Sequence, residues 1–424
     1  MKFDVIVVGA GATGLFTTLD LSLRGVNVCL VERGFIGSGT SGRFHGLLHS
    51  GARYAVNDPE AARECALENE VVSKIAPHAV RDTGGLFLAL TEEEVEYYEK
   101  LTKALGALGI VWRDVSNEEL RIMEPNVNPK VLRAILVQDK VVRGLELLTS
   151  IALSALKAGA RIMAKTKVVG FLREGGGIKG VKLFRERTGS TEEIQGDLVV
   201  NAAGPWAGEV ARMAGAEVEV IPTAGVMAVA RIKLTSKVIN RMRPPSDGDI
   251  LVPYAEDAYI AGTTAVITED PDQVAVSQED LDLLLTEGSQ MVPKLREVGF
   301  HRAYASVRPL IKSGDEGGRG LSRTFELFDH ESEGVHGLIT VAGGKFTTSR
   351  LIGEKVADLV SSKLGIRAGS KTSRIPLLPP SLEEIKAAAR NRGEEWILSS
   401  LEGVDSERFF GAATAFYLNS LLGV

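Results

Sequence analysis

At 424 residues the chain exceeds what one hydrophobic core organises, so two or more domains are expected, and its 44% hydrophobic and 25% charged residues are those of a globular protein. A net charge of −6 with both signs interspersed argues against a nucleic-acid surface, although it leaves room for a local basic pocket that takes an anionic metabolite. Two cysteines, Cys29 and Cys65, exclude a protein-held iron–sulfur cluster, a Cys-rich zinc site and a disulfide framework, so no metal site is expected.

The chain begins on a strand, Val5-Ile6-Val7-Val8, followed at once by Gly9-Ala10-Gly11-Ala12-Thr13-Gly14. Four consecutive apolar residues suit a strand buried on both faces. Gly9 permits the tight turn, Gly11 lets backbone approach a pyrophosphate, and Gly14 lets the next helix pack close to the sheet. The helix start offers free N–H groups and a positive dipole end to phosphates. A second strand, Val26 to Val31, ends at Glu32, where a carboxylate is spaced to accept hydrogen bonds from ribose hydroxyls. Strand, glycines, helix and acid together define a dinucleotide fold. Cys29, inside that second strand, reads as a small core residue. Asp4 interrupts any secretory h-region and no stretch of about 18 apolar residues occurs, so the expected location is cytoplasmic, or peripheral on the cytoplasmic face of the cell membrane.

Further along, Gly34 to Arg53 is a long Gly- and Ser-rich loop with two histidines. Asp58 to Ala79 reads as a helix, Thr83 to Leu90 as a strand, Glu92 to Leu108 as an amphipathic helix, Leu132 to Val137 as a strand and Glu146 to Ala158 as a helix. Strand patterns at 166–172, 178–185 and 194–200 lead into Asn201-Ala202-Ala203-Gly204-Pro205-Trp206. Residues 215–335 are β-rich, with strands such as Gly225 to Ile232, Tyr259 to Gly262 and Leu321 to Phe328, and one helix, Gln278 to Met291. A buried strand, Val335 to Val341, then precedes Gly343-Gly344-Lys345-Phe346-Thr347-Thr348 and a helix to Leu364. Ser381 to Glu384 is a capping box, and a last helix over 406–422 sets Phe409, Phe410, Phe416, Tyr417 and Leu421 on one face. That face either packs on its own domain or docks a second subunit or a membrane partner.

The pattern gives an α/β fold: a two-dinucleotide-binding domain from 1–80, 141–214 and 336–375, an inserted mixed or antiparallel-sheet substrate domain from 81–140 and 215–335, and a small helical C-terminal cap over 376–424. NAD and FAD share the opening motif. The Gly-rich segments at 37–42, 202–204 and 343–344 would line one long cofactor, which favours FAD.

The chain resembles the FAD-dependent glycerol-3-phosphate dehydrogenases, and most closely the catalytic subunit of the anaerobic type. The residues that carry the resemblance are Gly42-Arg43-Phe44-His45-Gly46-Leu47-Leu48-His49-Ser50-Gly51-Ala52-Arg53-Tyr54-Ala55, Ser246 to Pro253, Gly262-Thr263-Thr264, Ala303 to Leu310, Ser322-Arg323 and Gly343 to Thr348. They occur in family order across residues 1–375. The resemblance implies a cofactor set that adds Arg33, Gly39, Thr40, Ser41, Gly46, Leu47, His49, Val168, Ala202, Ala203, Gly204, Trp206, Gly344, Lys345, Phe346 and Thr347 to the opening glycines, Ala12, Thr13 and Glu32. It also implies oxidation of sn-glycerol 3-phosphate to dihydroxyacetone phosphate by hydride transfer to flavin N5, with electrons passed to a quinone or a small membrane-associated partner, in a homodimer.

The chain departs from the family in two places. The catalytic chain of the anaerobic type continues into a Cys-rich domain, whereas no cysteine follows Cys65. Many aerobic members carry Lys-Gly-Ser-His where this chain has Ala224-Gly225-Val226-Met227, so a substrate-contacting histidine there does not carry over.

The substrate chemistry matches the residues that the resemblance singles out. A dianionic phosphate wants guanidinium forks and an ammonium, which Arg53, Arg308, Arg323 and Lys345 offer. The hydroxyl proton needs an acceptor; arginine stays protonated, so His49 is the candidate base, with His45 under the flavin or in packing. Tyr54 and Thr264 are placed at the substrate. Lys345, at the mouth of the late helix, would stabilise negative charge developing on the flavin. The rivals are a flavin oxidase of a 2-hydroxy acid or an amine, which needs one carboxylate-binding arginine, and a flavin-binding scaffold without turnover.

Overall fold

The computed structural model describes residues 1–311, 325–392 and 417–423. Its centre is a parallel array in the order Leu338–Gly343, Ser190–Asn201, Lys2–Val8, Val28–Val31 and Arg161–Met163. Strand side chains alternate between faces, and the all-apolar strands put cores on both. Val5, Val7, Val28 and Leu30 face helices Ala12–Leu23, Gly144–Lys157 and Ser349–Leu364. Ile6, Val8, Cys29 and Val31 face helix Ala207–Met213 and an antiparallel meander made by Thr166–Glu174, Gly177–Arg185 and the first half of Ser190–Asn201. Helices Ala12–Leu23 and Ser349–Leu364 cross so closely that a Cβ on Gly353 would lie 2.7 Å from the Phe16 Cβ.

The inserted part is a nine-stranded mixed sheet among the described residues. Long strands Val220–Ala230 and Arg302–Ile311 pair antiparallel over their length, and Val238–Arg241 runs parallel to Gly85–Ala89. Arg241 ties this sheet to helix Glu92–Leu108 through Glu94 (2.5 Å) and to helix Gln278–Met291 through Glu287. A small three-stranded sheet of Leu47–Leu48, Lys140–Val142 and Val80–Arg81 joins the two parts next to the histidine loop.

The predicted elements recur with small shifts. The expected Asp58 to Ala79 helix is Pro59–Ile75, because Asp58 caps it by accepting the Ala61 N–H (3.1 Å) and Pro77 stops it. Helix Gln278–Met291 has the expected ends and a Ser277–Asp280 capping box. Strand Phe325–Asp329 pairs antiparallel with Leu338–Gly343 and so joins the nucleotide sheet, although its pattern groups it with the β-rich segment before it. Alternation encodes a half-buried strand, not its partner. The capping box at residue 381 forms reciprocally: the Glu384 N–H donates to Ser381 Oγ (3.2 Å) and the Ser381 N–H to Glu384 Oε2 (2.7 Å). Of the aromatic tail face, Phe409, Phe410 and Phe416 lie outside the described residues. Residues 417–422 are helical, and Leu418 is buried in the nucleotide-domain core with Tyr417 and Leu422 against it.

Candidate active site

The opening glycines each meet a steric demand. Gly9 has φ +104°, and a Cβ there would lie 2.6 Å from the Ala202 carbonyl oxygen. A Cβ on Gly14 would lie 1.9 Å from the Gly9 carbonyl oxygen, so the helix approaches the turn only without a side chain. Ser41 Oγ accepts the Ala12 N–H (3.0 Å) at the helix start. Glu32 is held at the strand end by the N–H groups of Ala10 (2.8 Å) and Gly34 (2.7 Å).

These residues open a cavity of about 540 Å³ between the two sheets. From the sequence-predicted set, Gly9, Gly11, Ala12, Thr13, Glu32, Arg33, Gly39, Thr40, Ser41, Leu47, His49, Val168, Ala202, Ala203, Gly204, Trp206, Gly344, Lys345, Phe346 and Thr347 line it, as do Arg53, Tyr54 and Arg308. Three predicted residues stand off the wall. Gly14 packs behind the turn. Gly46, at φ +85°, makes room for the Tyr254 ring. Thr264 Oγ1 accepts the Val226 N–H (3.1 Å) within the sheet, and the cavity residue beside it is Thr263. Arg323 lies outside the described residues.

At the dinucleotide end, Arg33 stacks on the Trp206 ring (4.0 Å to its centroid) and forms a fork with Asp272 (2.5 and 3.1 Å). The guanidinium holds the Asp272 carboxyl below the usual carboxylate range. Asp272 belongs to the inserted part, so the clasp spans both parts of the molecule. Gly39 lies against the same indole: its Cβ would be 3.3 Å from the ring.

At the far end, the buried His49 ring meets Tyr54 edge-on at 5.2 Å between centroids, with Tyr54 Oη 3.5 Å from His49 Nε2, the outer limit of a hydrogen bond. The His49 N–H donates to Thr347 Oγ1 (3.2 Å), which ties the histidine loop to the late Gly-Gly segment. Lys345 Nζ sits 4.6 Å over the Tyr54 ring. His45 differs: its Nδ1 accepts the Leu47 N–H (3.1 Å), and its ring is 6.1 Å from His49. Arg308, on strand Arg302–Ile311, donates through Nη2 to the carbonyls of Thr264 (2.6 Å) and Ala224 (3.4 Å).

Behind the loop lies a carboxylate that sequence reasoning missed. Asp139 is buried. It accepts the Ser50 N–H (2.8 Å), the Ser50 hydroxyl (2.7 Å) and the Asn240 amide (3.2 Å). Burial pushes its carboxyl up, opposed by those donors. Nothing local marks it, since Ser50 is 89 residues away in the chain. Burial also raises both thiols, Cys29 and Cys65, to about 12, which suits inert core positions.

A glycine cradle and a ribose-spaced acid that share a long cavity with His49, Tyr54, Lys345 and Arg308 are the parts of a dinucleotide-dependent oxidoreductase. Comparison with known proteins sharpens this. The model of the FAD dependent oxidoreductase family matches residues 4–359. The chain is 40% identical over 391 residues to an anaerobic glycerol-3-phosphate dehydrogenase chain of Escherichia coli strain K12, covering 91% of this chain and 72% of that one. It is 39% identical over 431 residues to the anaerobic glycerol-3-phosphate dehydrogenase chain of Haloferax volcanii, covering 99% and 73%. Among solved structures, a glycerol-3-phosphate dehydrogenase from Bacillus halodurans complexed with FAD aligns with a TM-score of 0.71 at 23% identity, over all of this chain and 77% of that one. The chain therefore belongs to the FAD-dependent oxidoreductases and, within them, to the anaerobic glycerol-3-phosphate dehydrogenase family; FAD is its cofactor.

The cradle yields a direct test. Gly14→Ala drives a Cβ against backbone that has no rotamer to escape into, an overpacking cost of about 1–3 kcal/mol concentrated at the pyrophosphate turn. Wild-type protein is expected to release FAD rather than FMN on denaturation. The variant should hold FAD about tenfold more weakly, read by chromatography of the released flavin after dialysis. Equal retention would place the cofactor elsewhere.

Proposed function

We propose that this protein oxidises sn-glycerol 3-phosphate to dihydroxyacetone phosphate. The observation that supports this most is that His49, Tyr54, Arg53, Arg308 and Lys345 share one cavity with the dinucleotide cradle. The reaction removes a hydride from the second carbon and a proton from its hydroxyl. Gly9 to Thr13, Glu32 and Trp206 would hold FAD, which when bound would supply the hydride acceptor. His49 takes the hydroxyl proton, and Tyr54 donates a hydrogen bond to the same oxygen. Arg308 and Arg53 receive the phosphate through charge-assisted hydrogen bonds. Lys345, placed over Tyr54, adds a cation to the cavity beside His49. A 2-hydroxy acid or amine needs one carboxylate-binding guanidinium, whereas two guanidiniums and an ammonium on one cavity wall offer the several donors that a phosphate takes.

Electrons pass onward to a quinone or to a membrane-associated partner, with the protein working as a homodimer in the cytoplasm or peripherally on the inner face of the cell membrane. No helix of the described residues is long and apolar enough to cross a membrane. Anaerobic titration with glycerol 3-phosphate is expected to bleach the flavin absorbance stoichiometrically, and quinone analogues should restore it faster than oxygen does. Bleaching by glycine or lactate but not by glycerol 3-phosphate would overturn the substrate assignment. No bleaching by any of them would leave a scaffold.

A further inference from the structure

Arg53 is a guanidinium held in the protein interior. It pairs through Nη2 with Asp249 Oδ1 at 2.6 Å, and the two side chains are 6% and 1% exposed. Its other terminal nitrogen, Nη1, is buried and has no hydrogen-bond partner among the described residues, although Arg53 borders the cavity. A buried charged donor left unmade is costly, so Nη1 is kept for something that enters the cavity. Asp249 is itself fixed. Its Oδ2 accepts the Ser246 N–H (2.8 Å), its carbonyl accepts the Arg241 N–H (3.1 Å), and Gly248 turns the chain at φ +69°. Both oxygens are thus committed, one to the turn and one to Arg53, so the carboxylate that anchors Nη2 is itself held in place.

We propose that Asp249 is a positioning residue for substrate binding: it aims Arg53 so that Nη1 donates to the phosphate of glycerol 3-phosphate. This rests on the substrate reading above. The pair has no net charge, so Arg53 contributes direction rather than field. A lysine at position 53 keeps the charge but loses the fork.

The test is a double-mutant cycle on FAD-loaded enzyme with Asp249→Asn, Arg53→Lys and both together. The wild-type titration is read first, and its failure removes the substrate reading and this inference with it. Where wild type is reduced, Asp249→Asn is expected to raise KM for glycerol 3-phosphate about 10- to 100-fold, the worth of one charge-assisted hydrogen bond. Flavin reduction at saturating substrate should change less than about threefold. Added to Arg53→Lys, Asp249→Asn should raise KM by less than a further threefold or so, because its target is gone. Wild-type KM in Asp249→Asn, or the full factor again in the Arg53→Lys background, would overturn the proposal. Asp249→Glu decides the matter if the asparagine variant does not load FAD, since it keeps the charge, displaces the fork and should raise KM alone. If neither variant loads FAD while Arg53→Lys does, Asp249 is only a folding counter-ion and the proposal falls.

Discussion

Replacing His49 with glutamine is expected to slow flavin reduction by glycerol 3-phosphate by about 10²–10⁴-fold, the range for loss of a general base. The substitution suits the site. His49 is buried, its backbone is pinned by Thr347, and Tyr54 packs on its edge, so a polar side chain of similar length keeps the wall while losing the proton acceptor. The cofactor should stay bound. His45→Gln is the contrast, because its Nδ1 serves the Leu47 N–H and its effect should be much smaller. Anaerobic stopped-flow reduction gives both rates, and a wild-type rate for His49→Gln would assign the proton to another acceptor.

Arg308→Ala is expected to weaken substrate binding by about 2–4 kcal/mol, seen as a rise in KM of roughly 30- to 1000-fold with FAD content unchanged. The guanidinium is held by backbone rather than by chance. Two carbonyls, one from the neighbouring strand Val220–Ala230 and one from Thr264 in the connection after Ala258–Gly262, fix Nη2, and Gly225 leaves the space: a Cβ there would lie 2.9 Å from Nη2 and 2.4 Å from Thr263 Oγ1. Steady-state kinetics with glycerol 3-phosphate decide the point. An unchanged KM would leave Arg308 as a strap across the sheet.

What was legible in the sequence was local. Gly9, Gly11, Gly14 and Glu32 lie within one strand–helix–strand unit, where steric demand and spacing are set by a few bonds, and each sits where that demand places it. The inserted sheet and the meander were legible as strands, since alternation records half-burial. Their partners were not, which is why Phe325–Asp329 changes sheet. The site residues called for more than pattern. His49, Arg53 and Arg308 stood out only through a family resemblance. Thr264 shows the limit of that route, since its hydroxyl serves the Val226 N–H while Thr263 faces the cavity. Of the supporting carboxylates, Asp139 has no local signature, and Asp249 lies in a segment that carries the resemblance without any sign of its partner. Asp249 lies 196 residues from Arg53, and the fold alone makes them neighbours.

The close crossing of helix Ser349–Leu364 on helix Ala12–Leu23 bears on biosynthesis. The first helix leaves the ribosome early, yet the surface that covers it at Gly353 comes about 340 residues later, roughly 20–70 s at about 5–20 residues per second. Through that interval Phe16 lacks this cover, and the Gly344 to Thr347 wall of the cavity does not yet exist. The complete cavity therefore exists only in a chain already translated past this crossing.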